Sequence, residues 1–406
     1  MGYPLSQVLP GRSEKAGRLA RYRCPSAAAV NPVMSDVFPS LSPPISSVAS
    51  SIKNAALAAG FDLAGVAPVR AFAELEYFPQ WIADGHAGEM KYLEGRDDTG
   101  QLKRVSLRSA APWARSVVVC AINYNTAQPY STQVNDAQCG WISRYAWSRE
   151  DYHDSVLRRL RSVESQLAAL VSNGQIAGGT PDLRSRCYVD TGPLVERIYA
   201  KYAGVGWLGK NTCIINQQLG SWLFLGVILT SLALQADLPA PDRCGSCTRC
   251  VDACPTDAFI GPYQLDATRC ISYLTIEKRG EIPAALREGM GRHVFGCDIC
   301  QDVCPWNRKA PATLLPEFQP RDGFVNPALD WLAEISTEAF REEFRGSPIR
   351  RAKRGGLRRN AIIAMGNSGN QSFLPLLERA LEDDDVVIAE SARWAKSQLA
   401  GSDERG

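Results

Sequence analysis

Thirteen cysteines carry the first chemical signal in this chain, and eight of them fall between Cys244 and Cys304. Cys244-x2-Cys247-x2-Cys250-x3-Cys254-Pro255 is a complete bacterial-ferredoxin run, the spacing with which thiolates wrap iron–sulfur cubanes. Cys297-x2-Cys300-x3-Cys304-Pro305 repeats its last three members. Two [4Fe-4S] clusters need eight thiolates; the runs supply seven, and Cys270 between them is the obvious eighth. In such runs the cysteine before the proline serves the other cluster. One set is therefore expected to be Cys244, Cys247, Cys250 and Cys304, and the other Cys254, Cys270, Cys297 and Cys300. Structural zinc is the competing reading of Cys-x2-Cys pairs, but a zinc site takes four ligands and seldom shows the x3-Cys-Pro ending twice. The scattered Cys24, Cys120, Cys139, Cys187 and Cys213 read as small apolar side chains.

A two-cluster module only delivers electrons, so the reaction belongs to the region before it. That region has no GxGxxG fingerprint after its first strand. Gly204-Val-Gly206-Trp-Leu-Gly209-Lys210-Asn211 resembles a phosphate loop but lacks the Ser or Thr after its lysine. A redox cofactor other than a nucleotide is implied.

The elements that must hold this chemistry follow from periodicity. Residues 47–59 show a helical stripe ending at Gly60, and 62–69 and 114–125 read as strands, the second with three consecutive valines. Phe72–Leu93 reads as mostly helix, broken near Pro79. Residues 151–171 place Val156, Leu160, Val163 and Leu167 on one helical face. Strands at 187–190 and 223–234 flank a helix at 195–203. This alternation predicts an α/β domain over 46–238, a cluster domain over 239–311 and a linker over 312–346. Helices at 357–365, 372–381 and 386–399 then have the cadence of a HEAT-like repeat over 347–400.

Composition narrows the classes further. Apolar residues make up 45% and charged residues 22% of 406, which excludes collagen, a wholly disordered chain and a disulfide scaffold. A net charge of +2 excludes any argument from global charge to nucleic acid. No apolar run reaches the ~18–20 residues of a membrane span. Residues 1–45, rich in Pro, Ser and Ala, read as a flexible leader without the apolar core of a secretory signal, with Met34 a candidate start. Concentrated thiols without an export signal point to a reducing cytoplasm.

Three blocks precede the cysteine runs: Ser143-Arg-Tyr145-Ala with Asp151-Tyr152-His153, Tyr188-Val-Asp190-Thr-Gly-Pro-Leu-Val-Glu196-Arg197, and Gly206-Trp-Leu-Gly209-Lys210-Asn211. In this order, and with a short helical tail, they resemble the epoxyqueuosine reductases over about residues 47–400. The resemblance implies a cobalamin-binding domain like that of reductive dehalogenases, two [4Fe-4S] clusters and reduction of the epoxide on a modified wobble base of tRNA. It also implies an external low-potential electron donor, and a monomer is expected. A corrinoid-dependent reductase of small molecules and an electron-transfer adaptor are the alternatives. The first usually carries an export signal, and the second leaves the YVDTGPLVER block unexplained.

The resemblance places the general acid at Asp190, which by itself reads as a strand-end turn former. Epoxide opening leaves an alkoxide, and a partly buried carboxylic acid of raised pKa suits that proton transfer. Tyr152 and His153 become candidates for the cofactor pocket wall, with no histidine expected on cobalt. Lys210 and Asn211 are expected at the corrinoid fringe, and Arg104 as a basic cofactor contact. Between 341 and 359 eight basic residues meet two acidic ones. Arg350, Arg351, Lys353 and Arg354, extended by Lys278 and Arg279, are the expected phosphate-binding surface.

Overall fold

The three valines of the central strand divide between two cores, and that division sets the layering of the site-bearing region. The computed structural model describes residues 45–173 and 183–401. The expected leader, Cys24 and most of the loop before YVD lie outside them. Helix α1 (Ile45–Ala58) precedes β1 (Leu63–Pro68) and β2 (Ser116–Asn123). Helix α2 (Tyr152–Ser172), β3 (Ser185–Tyr188), α3 (Glu196–Tyr202) and β4 (Leu223–Thr230) follow. The strands form one sheet in the order β1-β2-β4-β3, every pair antiparallel.

Because strand side chains alternate, β2 sends Val118, Cys120 and Ile122 into a core with Ile52 and Ala56 of α1 and Val156, Leu160 and Val163 of α2. Val117, Val119 and Ala121 enter the opposite core with Ile198, Tyr199 and Ala200 of α3. Two glycines permit the close packing. A Cβ on Gly226 would lie 2.8 Å from Val156 and Leu160, and one on Gly65 would lie 1.9 Å from the Ala203 carbonyl oxygen.

The helix expected across Phe72–Leu93 is corrected to separate pieces, Ala73–Glu76, Phe78–Ala83 and a 3-10 turn at Lys91–Glu94. Pro79 does not break a helix but opens one, in the first turn, where its missing N–H costs nothing.

The linker expected over 312–346 is corrected as well. It holds the helices Leu329–Glu334 and Thr337–Glu343, and Leu329, Leu332, Phe340 and Phe344 are buried. Its prolines shape only the first part. Helices α4 (Lys353–Ser368), α5 (Leu374–Ala380) and α6 (Val386–Ala400) then close the chain. They share one core with Ile142, Trp147, Val294 and Phe295, so this helical tail packs directly on the region that carries the second cysteine run. No helix among the described residues is long and apolar enough to cross a membrane.

Candidate active site

The site is a cavity of about 1940 Å³. That is roughly twice the upper end for pockets that hold drug-sized ligands. Asp190, Tyr152, His153 and Glu196 line it, and so do Cys254, Cys270, Cys297 and Cys300. Those four thiols are the second set expected from spacing. Among the thiols, Cys297 feels the charges of Cys270 and Cys254, and Cys300 those of Cys213, Cys297 and Cys270. Cys304 instead feels Cys244 and Cys250, and Cys250 feels Cys244 and Cys247.

Asp190 stands in the turn after β3 with φ +56°, a left-handed conformation that Asp tolerates better than most side chains. It is exposed to the cavity rather than half-buried. Tyr152, in the first turn of α2, donates its phenol proton to Asp190 Oδ2. Burial first, and then the charge of Asp190, push the Tyr152 phenol well above its ordinary pKa, so it remains a donor. The Tyr152 ring is fixed by stacking on Phe224 of β4 at 4.3 Å and on His153 at 4.1 Å.

His153 Nδ1 lies 2.7 Å from Asp151 Oδ1, the N-cap of α2. Burial works against its protonation. The hydrogen bond and charge of Asp151 outweigh that and hold the imidazole pKa above its usual value.

The sequence blocks turn out to hold the cysteine runs. Lys210 Nζ donates to the carbonyls of Gly245 and Cys247, at 2.7 and 3.0 Å. Lys210 is therefore corrected from a corrinoid contact to a brace on the first run, because its ammonium is already spent there and does not line the cavity. Asn211 lines the cavity but donates to the Cys300 carbonyl at 3.2 Å. Trp207 packs edge-to-face on Trp306 at 5.0 Å, in an apolar cluster with Cys304 and Cys244. Ser143 Oγ and the Arg144 amide both donate to Asp298 between Cys297 and Cys300, the second at 2.6 Å. Cys213, read from sequence as an apolar side chain, instead lines the cavity close enough to Cys300 for the two thiols to shift each other's proton affinity.

Arg104 lines the cavity with its guanidinium engaged, donating to the carbonyls of Tyr92 and Gly192 at 2.9 and 3.1 Å. It clamps the Asp190 turn. The basic run divides in two. Arg350, Arg351 and Lys353 are exposed at the cavity, together with Arg341 and Lys103, which sequence reasoning did not single out. Among the described residues no side-chain partner holds Arg341, Arg350 or Lys353. Arg351 pairs with Glu277 at 2.5 Å and Lys278 with Glu89 at 2.5 Å. Arg354 donates to the Ile335 carbonyl at 2.7 Å, and Arg279 to the carbonyls of Ala352 and Arg351. Lys278, Arg279 and Arg354 do not line the cavity, and Arg279 and Arg354 use their donors to join segments of the fold. Glu196 is a third cavity residue that sequence reasoning missed; its only signal was its place in the YVDTGPLVER block.

Comparison with known proteins agrees with this site. A 4Fe-4S double cluster binding domain matches residues 243–307, and the epoxyqueuosine reductase QueG model matches residues 104–191. The epoxyqueuosine reductase of Synechocystis sp. is 44% identical over 283 residues, 69% of this chain and 91% of that protein. That of Pseudomonas aeruginosa is 38% identical over 363 residues, 87% of this chain and 96% of that protein. A crystal structure of epoxyqueuosine reductase with an epoxyqueuosine-modified tRNA-Tyr stem loop superimposes with a TM-score of 0.76. It is 31% identical and covers 87% of this chain and 91% of that one. The structure from Streptococcus thermophilus gives a TM-score of 0.75 at 27% identity, covering 87% of this chain and 90% of that one. With that identity over most of both chains, this protein belongs to the epoxyqueuosine reductase family.

Proposed function

We propose that this chain reduces epoxyqueuosine to queuosine at the wobble position of tRNA, with two [4Fe-4S] clusters and a cobalamin. The observation that carries the reading is the cavity itself. Its lining brings together a carboxylic side chain with its phenol partner, four thiols of the double-cluster domain, and exposed cations that have no side-chain partner among the described residues.

The residues present fit both cofactors. Cys244, Cys247, Cys250 and Cys304 would hold one cluster in the apolar pocket with Trp207, whose Nε1 is a buried donor without a protein partner. Cys254, Cys270, Cys297 and Cys300 would hold the other at the cavity wall. The cavity, at about 1940 Å³, has the volume a corrinoid would need, and Tyr152 and Phe224, stacked on each other, are among the residues that would line it. When bound, the corrinoid supplies a low-potential metal centre for electron transfer to the substrate.

The chain's own residues do the rest. Arg104 and Tyr152 hold the Asp190 turn and its carboxyl in place, and Asp190 gives its proton to the epoxide oxygen as the C–O bond breaks. Arg341, Arg350 and Lys353 meet the phosphates of the anticodon arm. An external low-potential donor would supply the two electrons. One chain holds every group this reading needs, so a monomer suffices.

The test is anaerobic reconstitution followed by iron, cobalamin and product analysis with an epoxyqueuosine stem loop. Cobalamin retention and alkene formation are expected. Protein that binds no cobalamin would remove the centre of this reading.

A further inference from the structure

Reduction of an epoxide to an alkene consumes two electrons and two protons and releases water. Asp190 carries one proton at a time, so the second must reach it from water or from a neighbouring acid. Glu196 is the first residue of α3, at the other end of the turn that begins at Asp190, and it lines the same cavity. Its Oε1 is buried and has no hydrogen-bond partner among the described residues. The carboxyl accepts its own backbone N–H and is acted on by the charges of Asp190, Arg104 and Arg197. Arg104 is held by main-chain carbonyls, and Arg197 donates to the Thr212 carbonyl at 3.0 Å. Neither cation is therefore bonded to Glu196. Burial first, then the nearby charge of Asp190, push the Glu196 carboxyl up to about 7, against the pull of its amide and of both arginines. A carboxyl that still holds its proton in a substantial fraction of molecules near neutral pH thus lines the same cavity as Asp190.

We propose that Glu196 stores the second proton of the reaction and passes it to Asp190 between the two C–O cleavages. This rests on the function proposed above. In the first half, one epoxide C–O bond breaks. Its oxygen takes the Asp190 proton to become a hydroxyl, and two electrons from the external donor enter at carbon. Glu196 then reprotonates Asp190. In the second half the remaining C–O bond breaks, the electron pair at carbon becomes the π bond, and the oxygen leaves as water with the second proton. Both carboxylates regain protons from solvent. Glu196 acts through Asp190 and so is a positioning residue for the proton.

Infrared pH-difference spectra and single-turnover rates on the cofactor-loaded enzyme test this. The wild type should show a carboxylic-acid C=O band that titrates near pH 7, lost in Glu196→Gln and retained in Asp190→Asn. The wild-type rate should fall as pH rises through that value. Glu196→Gln should be slower by about tenfold or more, less than the ~10²–10⁴ of a directly acting acid, and should lose that alkaline limb. Glu196→Asp should restore both band and limb, and it carries the test if the Gln variant fails to fold. A wild-type pH profile in Glu196→Gln, or a C=O band near pH 7 that keeps its full wild-type amplitude there, overturns the proposal; burial also raises Asp302, to about 8, and its band is expected to survive. Loaded wild-type enzyme that leaves the epoxide intact overturns the functional reading, and the proton role falls with it.

Discussion

The phenol of Tyr152 donates a hydrogen bond to Oδ2 of Asp190, joining the first turn of α2 to the turn after β3. Asp190→Asn keeps the shape and removes the proton. Single-turnover rates should fall by about 10²–10⁴ while the corrinoid absorbance of the loaded protein stays unchanged. Tyr152→Phe removes one hydrogen bond to the Asp190 carboxylate, worth about 1.5 kcal/mol or more, so the rate should drop about tenfold or more. Full activity in Asp190→Asn would return Asp190 to a turn-forming role.

Cys270 is the thiol outside both runs, and it sits among Cys254, Cys297 and Cys300 on the cavity wall. Cys270→Ala should halve the iron content, from about eight to about four per chain, leaving one cluster spectroscopically normal. Replacing Cys120, which is fully buried in the α1–α2 core, should leave iron unchanged. Eight irons in Cys270→Ala would refute the ligand assignment.

Arg341, Arg350 and Lys353 stand exposed at the cavity without side-chain partners among the described residues, whereas Arg351 and Arg354 are already bonded. Changing the first three to Ala should weaken binding of an anticodon stem loop. The log–log salt slope should shrink by about 0.7–0.9 for each phosphate left without its cation. Iron and cobalamin content should not move. An identical slope would place the tRNA grip elsewhere.

Arg359, although part of the same basic run, is 1% exposed and donates to the carbonyls of Leu274, Lys278 and Gly280. Arg359→Ala leaves these buried acceptors unpaired and should destabilise the fold by about 3 kcal/mol or more, read as a lower denaturant midpoint. Its salt slope for tRNA should equal that of the wild type. A stable variant with a reduced slope would make Arg359 a phosphate ligand after all.

Glu196 also links stability to pH. Its folded pKa of about 7 lies above the ordinary 4.5, so its contribution is fully present below pH 4.5 and is lost as pH rises through 7. Glu196→Gln should therefore be more stable than wild type at pH 8 and similar at pH 5. The ceiling is roughly 3 kcal/mol, reduced by screening from water in the cavity. Equal unfolding midpoints at pH 8 would show that the carboxyl ionises freely.

The sequence by itself determined the cysteine framework, because thiolate spacing around a cubane is a local constraint written in consecutive residues. It also determined the main helices and strands: the valine run of β2 and the stripe Val156, Leu160, Val163 and Leu167 can be buried in few ways. What it could not decide was where each polar group spends its hydrogen bonds. Lys210 follows three glycines and looks ligand-facing, yet carbonyls 35 and 37 residues away claim its ammonium. Arg350 and Arg359 are equivalent in a charge count, but Arg350 stands in the 3-10 turn before α4 at the cavity, whereas the inner face of α4 carries Arg359 into the core. Glu196 looked like part of a motif, and only the enclosure of its carboxyl beside Asp190 gave it an altered proton affinity. Spacing along a chain fixes bonds among neighbours, whereas burial and charge depend on which distant segments the fold brings together.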